Sequence, residues 1–366
     1  MSANFQQYAK PGEVTPEITP SRLFDTPIKV PSRLLMGPGP VNAHPRVLAA
    51  QTLPLLGHMH PPFFSIMDEI QDGLRYLFQT SSKYVLLISG TGHAGMEAAI
   101  ANMLEPGETI VVGNNGIWGQ RVTDLSARFG GNVVSLETAA GSTLSLEEIK
   151  ASLDQHKPAV LFLCQGESST GAQQSLAGVA EACQEHGTVL IVDTVCSLGA
   201  VPFYGDAWGV DCMYSGSQKV ISAPPGAAPF MLSERGLKKL LNRKMKVASY
   251  NFDLNLIGNY WGWFSKARQY HATAMGLGAL GLKPFVESDA DRLVSVNTIK
   301  VPEGVDWAAV VKNAMEKYNV EIAGGLGPTA GKVWRVGIMG YNAKLENVEL
   351  VIAAFRDGLQ QQGYLK

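Results

Sequence analysis

Lys219 stands in Ser215-Gly216-Ser217-Gln218-Lys219-Val220, between the apolar run Val210–Tyr214 and the turn Ala223-Pro224-Pro225-Gly226. An ammonium held there away from water is destabilised, its pKa falls, and the amine becomes a nucleophile toward an aldehyde. A solvated lysine after a strand is the alternative. Asp193 closes the run Leu190-Ile191-Val192-Asp193. Open α/β sheets bind ligands at the carboxyl ends of their strands, so this carboxylate faces a ligand or caps a helix. Gly90-Thr91-Gly92-His93-Ala94-Gly95 follows a third apolar run and opens a helix. Amides at a helix start, with glycines that admit close approach, make an anion site.

The glycine pattern also fits the dinucleotide motif GxGxxG. That motif requires an acidic residue about 20 positions on, at the end of the next strand, to hold a ribose. The next strand, Thr109–Val112, runs into Gly113-Asn114-Asn115-Gly116 and offers no carboxylate. A phosphate cradle, an amine and a strand-end carboxylate together meet a different set of needs. Pyridoxal phosphate requires a phosphate site, a Schiff-base lysine and a carboxylate that keeps its ring nitrogen protonated.

Other residues fall at the same edge. Trp118, in Asn115-Gly116-Ile117-Trp118-Gly119-Gln120, follows the second strand and offers a ring to stack on a flat group, or a core contact. The loop Gly166-Glu167-Ser168-Ser169-Thr170-Gly171 brings hydroxyls. Arg335, in Lys332-Val333-Trp334-Arg335-Val336-Gly337-Ile338, shares a strand face with Val333 and Gly337. There it grips a substrate carboxylate or points outward. His58 and His60 precede Pro61-Pro62 with no third ligand, so no metal site is expected.

These residues need a scaffold. Apolar runs at Tyr84–Ser89, Thr109–Val112, Asn132–Leu136, Ala159–Cys164 and Thr188–Asp193 alternate with helical stretches at Ala94–Leu104, Ile117–Phe129, Ser145–Gln155 and Leu176–His186. That alternation predicts an α/β domain with a mostly parallel sheet covered on both faces. Beyond it, a strand at Val294–Val301, a helix at Asp306–Tyr318, a turn at Gly324–Pro328, a strand at Val333–Ile338 and a helix at Lys344–Leu359 predict a small α+β domain. Asn342 or Ala343 is expected at the start of that last helix. Five prolines among residues 1–33 predict an extended N-terminal arm, closed by Gly37-Pro38-Gly39-Pro40. The expected division is therefore 1–33 arm, 34–275 large domain and 276–366 small domain.

The chain has 366 residues, 46 % hydrophobic and 17 % charged, with a net charge of −2. This balance is globular and gives no footprint for nucleic acid or an anionic membrane. Four cysteines without CxxC spacing read as reduced core residues of an intracellular protein.

The ordered set of motifs resembles the alanine–glyoxylate / serine–pyruvate aminotransferases, within the class V pyridoxal-phosphate enzymes. The likeness adds Asn259-Tyr260-Trp261-Gly262, Tyr270-His271 and Gly324-Gly325-Leu326-Gly327-Pro328 to the segments above. It implies a fold-type I transferase. Lys219 would hold the cofactor and shuttle the substrate proton, Asp193 would pair with the ring nitrogen, and Trp118 would stack. Ser168 would lie by the ring hydroxyl, in reach of substrate as well, and Thr91, Gly92, His93 and Gln218 would surround the phosphate. Tyr270 and Thr273 would reach the phosphate of a neighbouring subunit, implying a homodimer. Arg335 would bind the substrate carboxylate, and Gly39 would line a small pocket. Alanine or serine would donate to glyoxylate or pyruvate. A 3-hydroxykynurenine-type transaminase and a non-catalytic relative are the alternatives. Compartment stays open between peroxisome and mitochondrion, because Tyr364-Leu365-Lys366 is not a Ser-Lys-Leu address.

The sequence departs from the family at three places. Val41 and Ala272 replace a serine and a histidine, and only thirteen residues separate Tyr270 from Pro284, where relatives carry a long helix. Thirteen residues span up to about 45 Å when extended, so the connection is still possible.

Overall fold

The computed structural model describes residues 28–266, 268, 285, 296–337, 339–342 and 344–365. Tyr270 and Thr273 lie outside the described residues, as do residues 1–27 of the expected arm. In chain order come α1 (Pro45–Ala50), α2 (Pro61–Phe78), β1 (Val85–Gly90), α3 (Gly92–Met103), β2 (Thr109–Asn114), α4 (Ile117–Arg128), β3 (Asn132–Glu137), α5 (Leu146–His156) and β4 (Val160–Cys164). The short hairpin β5 (Gly166–Glu167) and β6 (Ala172–Gln173) precedes α6 (Val179–Glu185), β7 (Val189–Asp193), β8 (Cys212–Tyr214), β9 (Gly226–Leu232), α7 (Glu234–Leu241) and α8 (Leu254–Tyr260).

Seven strands form one sheet in the order β1-β9-β8-β7-β4-β2-β3, parallel except for β9, which runs against both neighbours. The central strands are buried along their whole length, as β4 and β7 show. Period-two alternation sends successive residues to opposite faces. Leu86, Phe162 and Ile191 pack on one side with Met96, Ile100 and Met103 of α3. Val85, Leu161 and Leu190 pack on the other with Ile149, Leu153 and Val179. Ser145 starts α5 with a reciprocal cap, its hydroxyl accepting from the Glu148 amide while the Glu148 side chain reaches back.

A second unit holds β10 (Val296–Lys300), α9 (Trp307–Tyr318), β11 (Ala323–Gly324), β12 (Val333–Gly337) and α10 (Leu345–Gln361). Its sheet runs β10-β12-β11, with Trp334 and Phe355 in edge contact at 5.2 Å inside its own core. Lys344, rather than Asn342 or Ala343, stands at the N-cap of α10, because its backbone is still extended.

Several elements were not expected from the sequence, among them α1, α7, α8, the β5–β6 hairpin, β9 and α2. Helix α2 buries Met67, Gln71, Leu74 and Phe78, spaced four, three and four residues apart, and places Pro61-Pro62 in its first turn, where no N–H is needed. Just before it, the Gly57 amide donates to Glu321 Oε2 at 2.8 Å, and His60 Nε2 lies 3.2 Å from Glu321 Oε1. Glu321 precedes β11, so this clasp joins the second unit to the start of α2. Among the described residues no helix is long and apolar enough to cross a membrane and no group of three ligand-type side chains is placed for a metal. The four cysteines are unpaired.

Candidate active site

The carboxyl edge of the large sheet carries a recess of about 360 Å³. Gly92, His93, Trp118, Ser168, Asp193, Gln218 and Lys219 line it, together with Met96, Gly166, Val195 and Cys196. Of the other candidate residues, Gly39 touches the lysine stem. Thr91 is the N-cap of α3 and is not among the lining residues. Arg335 is on β12 and does not line the recess; its Nε donates to the Gly324 carbonyl at 2.6 Å.

The glycines of the first motif bring α3 against the sheet. A Cβ on Gly92 would stand 2.8 Å from Val195 Cγ2, and one on Gly95 would stand 3.0 Å from Tyr214 Cβ. Gly90 turns the chain at φ +145°, in the left-handed region. The first turn of α3 therefore arrives close to the strand ends with amides that no earlier helical carbonyl can accept.

Lys219 Nζ donates to Ser168 Oγ at 3.1 Å, and Trp118 Nε1 donates to the same oxygen at 2.9 Å. A hydroxyl oxygen has two lone pairs and one hydrogen. With both lone pairs engaged, Ser168 keeps its own hydrogen for a third partner. The lysine ammonium also lies 5.8 Å from the centre of the Trp118 ring. His93 meets Trp118 edge-on at 5.3 Å and its Nε2 faces Arg121 Nη1 at 3.1 Å. Partial burial, then the Arg121 charge, holds the His93 imidazole below its usual 6.5, against a smaller opposite pull from Glu97. The ring is neutral at physiological pH.

Asp193 is 3 % exposed. Its Oδ1 accepts from the Val195 amide at 2.8 Å and its Oδ2 from the Tyr214 hydroxyl at 2.6 Å. Burial pushes its pKa from 3.8 up to about 6, against the two hydrogen bonds and Lys219, which favour the charge. Glu167 adds to the upward push. Gln218 Oε1 is buried beside the recess with no hydrogen-bond partner.

Two residues of this site were not found from the sequence. Glu167 is 1 % exposed; its Oε2 accepts from the Trp118 amide at 3.1 Å and its Oε1 from the Ser169 amide at 2.7 Å. Helix α4 starts at Gly116 without a side-chain cap of its own, so Glu167 caps it from another strand. Gly116 leaves the room, since a Cβ there would come 2.4 Å from Glu167 Cδ. Tyr214 faces Asp193 because β7 and β8 pair in parallel with those two residues in register. Strand pairing brings Tyr214 to Asp193, and the placement of the β5 hairpin beside the start of α4 brings Glu167 to Trp118; neither is visible in a single sequence.

Residues 49–288 match the family described as Aminotransferase class-V. Alanine–glyoxylate aminotransferase of Drosophila melanogaster is 43 % identical over 94 % of this chain and 96 % of its own length. (S)-ureidoglycine–glyoxylate transaminase of Bacillus subtilis is 31 % identical over 88 % of this chain and 89 % of its own. The crystal structure of an alanine–glyoxylate aminotransferase from Nostoc sp. superposes with a TM-score of 0.67 at 43 % identity, covering 93 % of this chain and 100 % of that one. The alignment with the Drosophila enzyme has 380 positions, yet 94 % of this chain is about 344 residues, so about 36 positions face a gap here. With the ordered motifs, the fold and the matched span in agreement, the chain belongs to the class-V aminotransferase family.

Proposed function

We propose that this chain transfers an amino group between a small amino acid, alanine or serine, and glyoxylate or pyruvate, using pyridoxal phosphate held in the recess. The observation that carries this reading is the convergence of Lys219 Nζ and Trp118 Nε1 on Ser168 Oγ, in a recess that the buried Asp193 also lines. The residues present fit the cofactor. Asp193 is a carboxylate buried at a cost that a protonated ring nitrogen would relieve. The start of α3 suits a phosphate, and Gln218, which lines the recess, would reach it only with its amide N–H turned inward, since its Oε1 is an acceptor. Trp118 and Val195 give walls for a flat ring.

The cofactor, when bound, supplies an aldehyde for the lysine amine and a protonated ring that draws electrons from the substrate. The protein does the rest. The Lys219 Nζ amine would be the base that takes the proton from the substrate Cα and the acid that gives it to the carbon that had been the cofactor's aldehyde. Ser168 Oγ holds that amine by accepting its hydrogen. Glu167 fixes the backbone of Trp118, which keeps the indole in place. Arg335, a planar five-donor group, is proposed to bind the substrate carboxylate.

The two relatives named above both act on glyoxylate and differ in amino donor, which favours glyoxylate as the acceptor here. We also propose a homodimer. A second copy would cover the exposed apolar side chains of residues 28–56, where Met36 is 81 % and Leu55 98 % exposed.

A visible absorption spectrum of the protein with added pyridoxal phosphate tests the reading. A cofactor band that bleaches with L-alanine and returns with glyoxylate supports it. A band that ignores every amino acid supports the second reading, a cofactor-binding protein without turnover. The gap of about 36 aligned positions is the observation that favours this second reading. Absence of any band overturns both.

A further inference from the structure

Tyr214 is the last residue of β8 and has no exposed surface. Its carbonyl accepts from both the amide and the hydroxyl of Thr194, at 2.9 and 2.8 Å. Its ring is pressed by Gly95 of α3, where a Cβ would stand 3.0 to 3.2 Å from Tyr214 Cβ, Cδ2 and Cγ. The hydroxyl at the end of this clamped ring donates to Asp193 Oδ2 at 2.6 Å, a short charge-assisted bond. A buried phenol needs a partner and a buried carboxylate needs donors, so each satisfies the other.

We propose that Tyr214 is a positioning residue for the reaction: its hydroxyl keeps Asp193 ionised and fixes the orientation of the carboxylate in the recess at neutral pH. This rests on the reading of Asp193 as partner of a protonated ring nitrogen. The groups around Asp193 define the balance. Glu167 of β5 opposes its charge and Lys219 favours it. Cys164 of β4 is a neutral thiol, its ionisation pushed far up by burial. The Val195 amide and the Tyr214 hydroxyl are the two donors bonded to its oxygens. Burial is the largest influence and raises the Asp193 pKa, while the Tyr214 bond is the largest of those that lower it. Loss of that bond moves the ionisation toward physiological pH. The carboxylate would then take up a proton where the cofactor needs its charge.

The test measures the dissociation constant of pyridoxal phosphate from the protein by equilibrium dialysis, and kcat/KM with alanine and glyoxylate, between pH 5.5 and 9. Tyr214→Phe removes one oxygen and keeps the packing. Its acid-side limb should move up by about one pH unit, with cofactor affinity about tenfold weaker near pH 7 and recovered at pH 9. A residue that serves only the fold would lower affinity evenly at every pH; that result, or an unmoved limb, overturns the proposal. Asp193→Asn separates the two readings. If it binds cofactor and turns over like the unmodified protein, the role of Asp193 itself has failed. If it collapses while Tyr214→Phe behaves normally, Tyr214 alone has failed. Should Tyr214→Phe not fold, Gly95→Ala decides. Its methyl displaces the tyrosine ring by a few tenths of an ångström and should shift the limb the same way, and an unmoved limb overturns the proposal.

Discussion

Gly39 and Lys219 touch so closely that a Cβ on the glycine would stand 2.8 Å from Lys219 Cδ and 2.9 Å from Cε. Gly39 also has φ +113°, a conformation that side chains resist at about 1–3 kcal/mol. Gly39→Ala therefore strains its own backbone and pushes the lysine off Ser168. A displacement of about 1 Å in a reacting group costs about a hundredfold in rate. The expected outcome is kcat lowered ten- to a hundredfold, with melting only modestly affected; unchanged kcat would show that the lysine stem yields freely. Lys219→Ala, by contrast, should abolish both the cofactor band and turnover.

Glu167→Gln tests the cap supplied to α4. A carboxylate accepts from both the Trp118 and Ser169 amides, whereas an amide side chain turns an N–H toward one of them. One buried donor is left unsatisfied, at a cost of about 1–3 kcal/mol. Cofactor affinity should fall about tenfold and thermal stability should drop, both measured on the same preparation. Loss of stability with affinity intact would separate the cap from the placement of Trp118.

The pH dependence of the cofactor-free protein follows from Asp193. Its folded pKa of about 6 lies above the ordinary aspartate value of 3.8, so between those values the folded state binds more protons than the unfolded state. Stability from this group is present at low pH and is lost as pH rises toward and past 6. Asp193→Asn removes a buried charge, so the cofactor-free variant should be more stable at pH 8, by up to about 3 kcal/mol. The advantage should vanish near pH 4. Denaturant melts at the two pH values check this, and equal gains at both would locate the effect elsewhere.

Arg335→Lys keeps a positive charge and loses the planar fork. If Arg335 binds the substrate carboxylate, kcat/KM for alanine should fall about a hundredfold while the cofactor spectrum is unchanged. Wild-type efficiency would assign the carboxylate to another residue.

Glu321→Ala removes the clasp at Gly57 and His60. Faster limited proteolysis between the two units and a larger radius in solution scattering are expected, with cofactor binding retained. Gly57→Ala should do the same from the other side, because a Cβ there would fall 1.3 Å from Glu321 Oε1.

What the sequence reveals of this fold depends on whether the signal is local. Strands β1, β2, β4 and β7 each contain an unbroken apolar run, Val85–Ile88, Ile110–Val112, Val160–Cys164 and Val189–Val192, and that pattern is legible. Strand β9 is not. It opens Gly226-Ala227-Ala228-Pro229, and a proline argues against a strand interior, yet β9 lies between β1 and β8. Lys219, Asp193, Trp118 and Ser168 announce themselves by neighbours in the chain. Glu167 and Tyr214 do not, since each acts on a residue 49 or 21 positions away. The three motif glycines are legible as letters but not in purpose: Gly92 and Gly95 make room for Val195 and Tyr214.

Glu321 lies two residues before Ala323, which stands directly across from Arg335 in the pairing of β11 with β12. The mooring of Glu321 to Gly57 thus sets where that strand pair hangs, independently of the covalent connection. Where the strand pair sits then depends little on how many residues of chain join the two units. Halving or doubling the number of residues in a closed segment changes its closing cost by only about 0.6 kcal/mol. A protein built this way tolerates large changes in connector length and very small ones at residue 57.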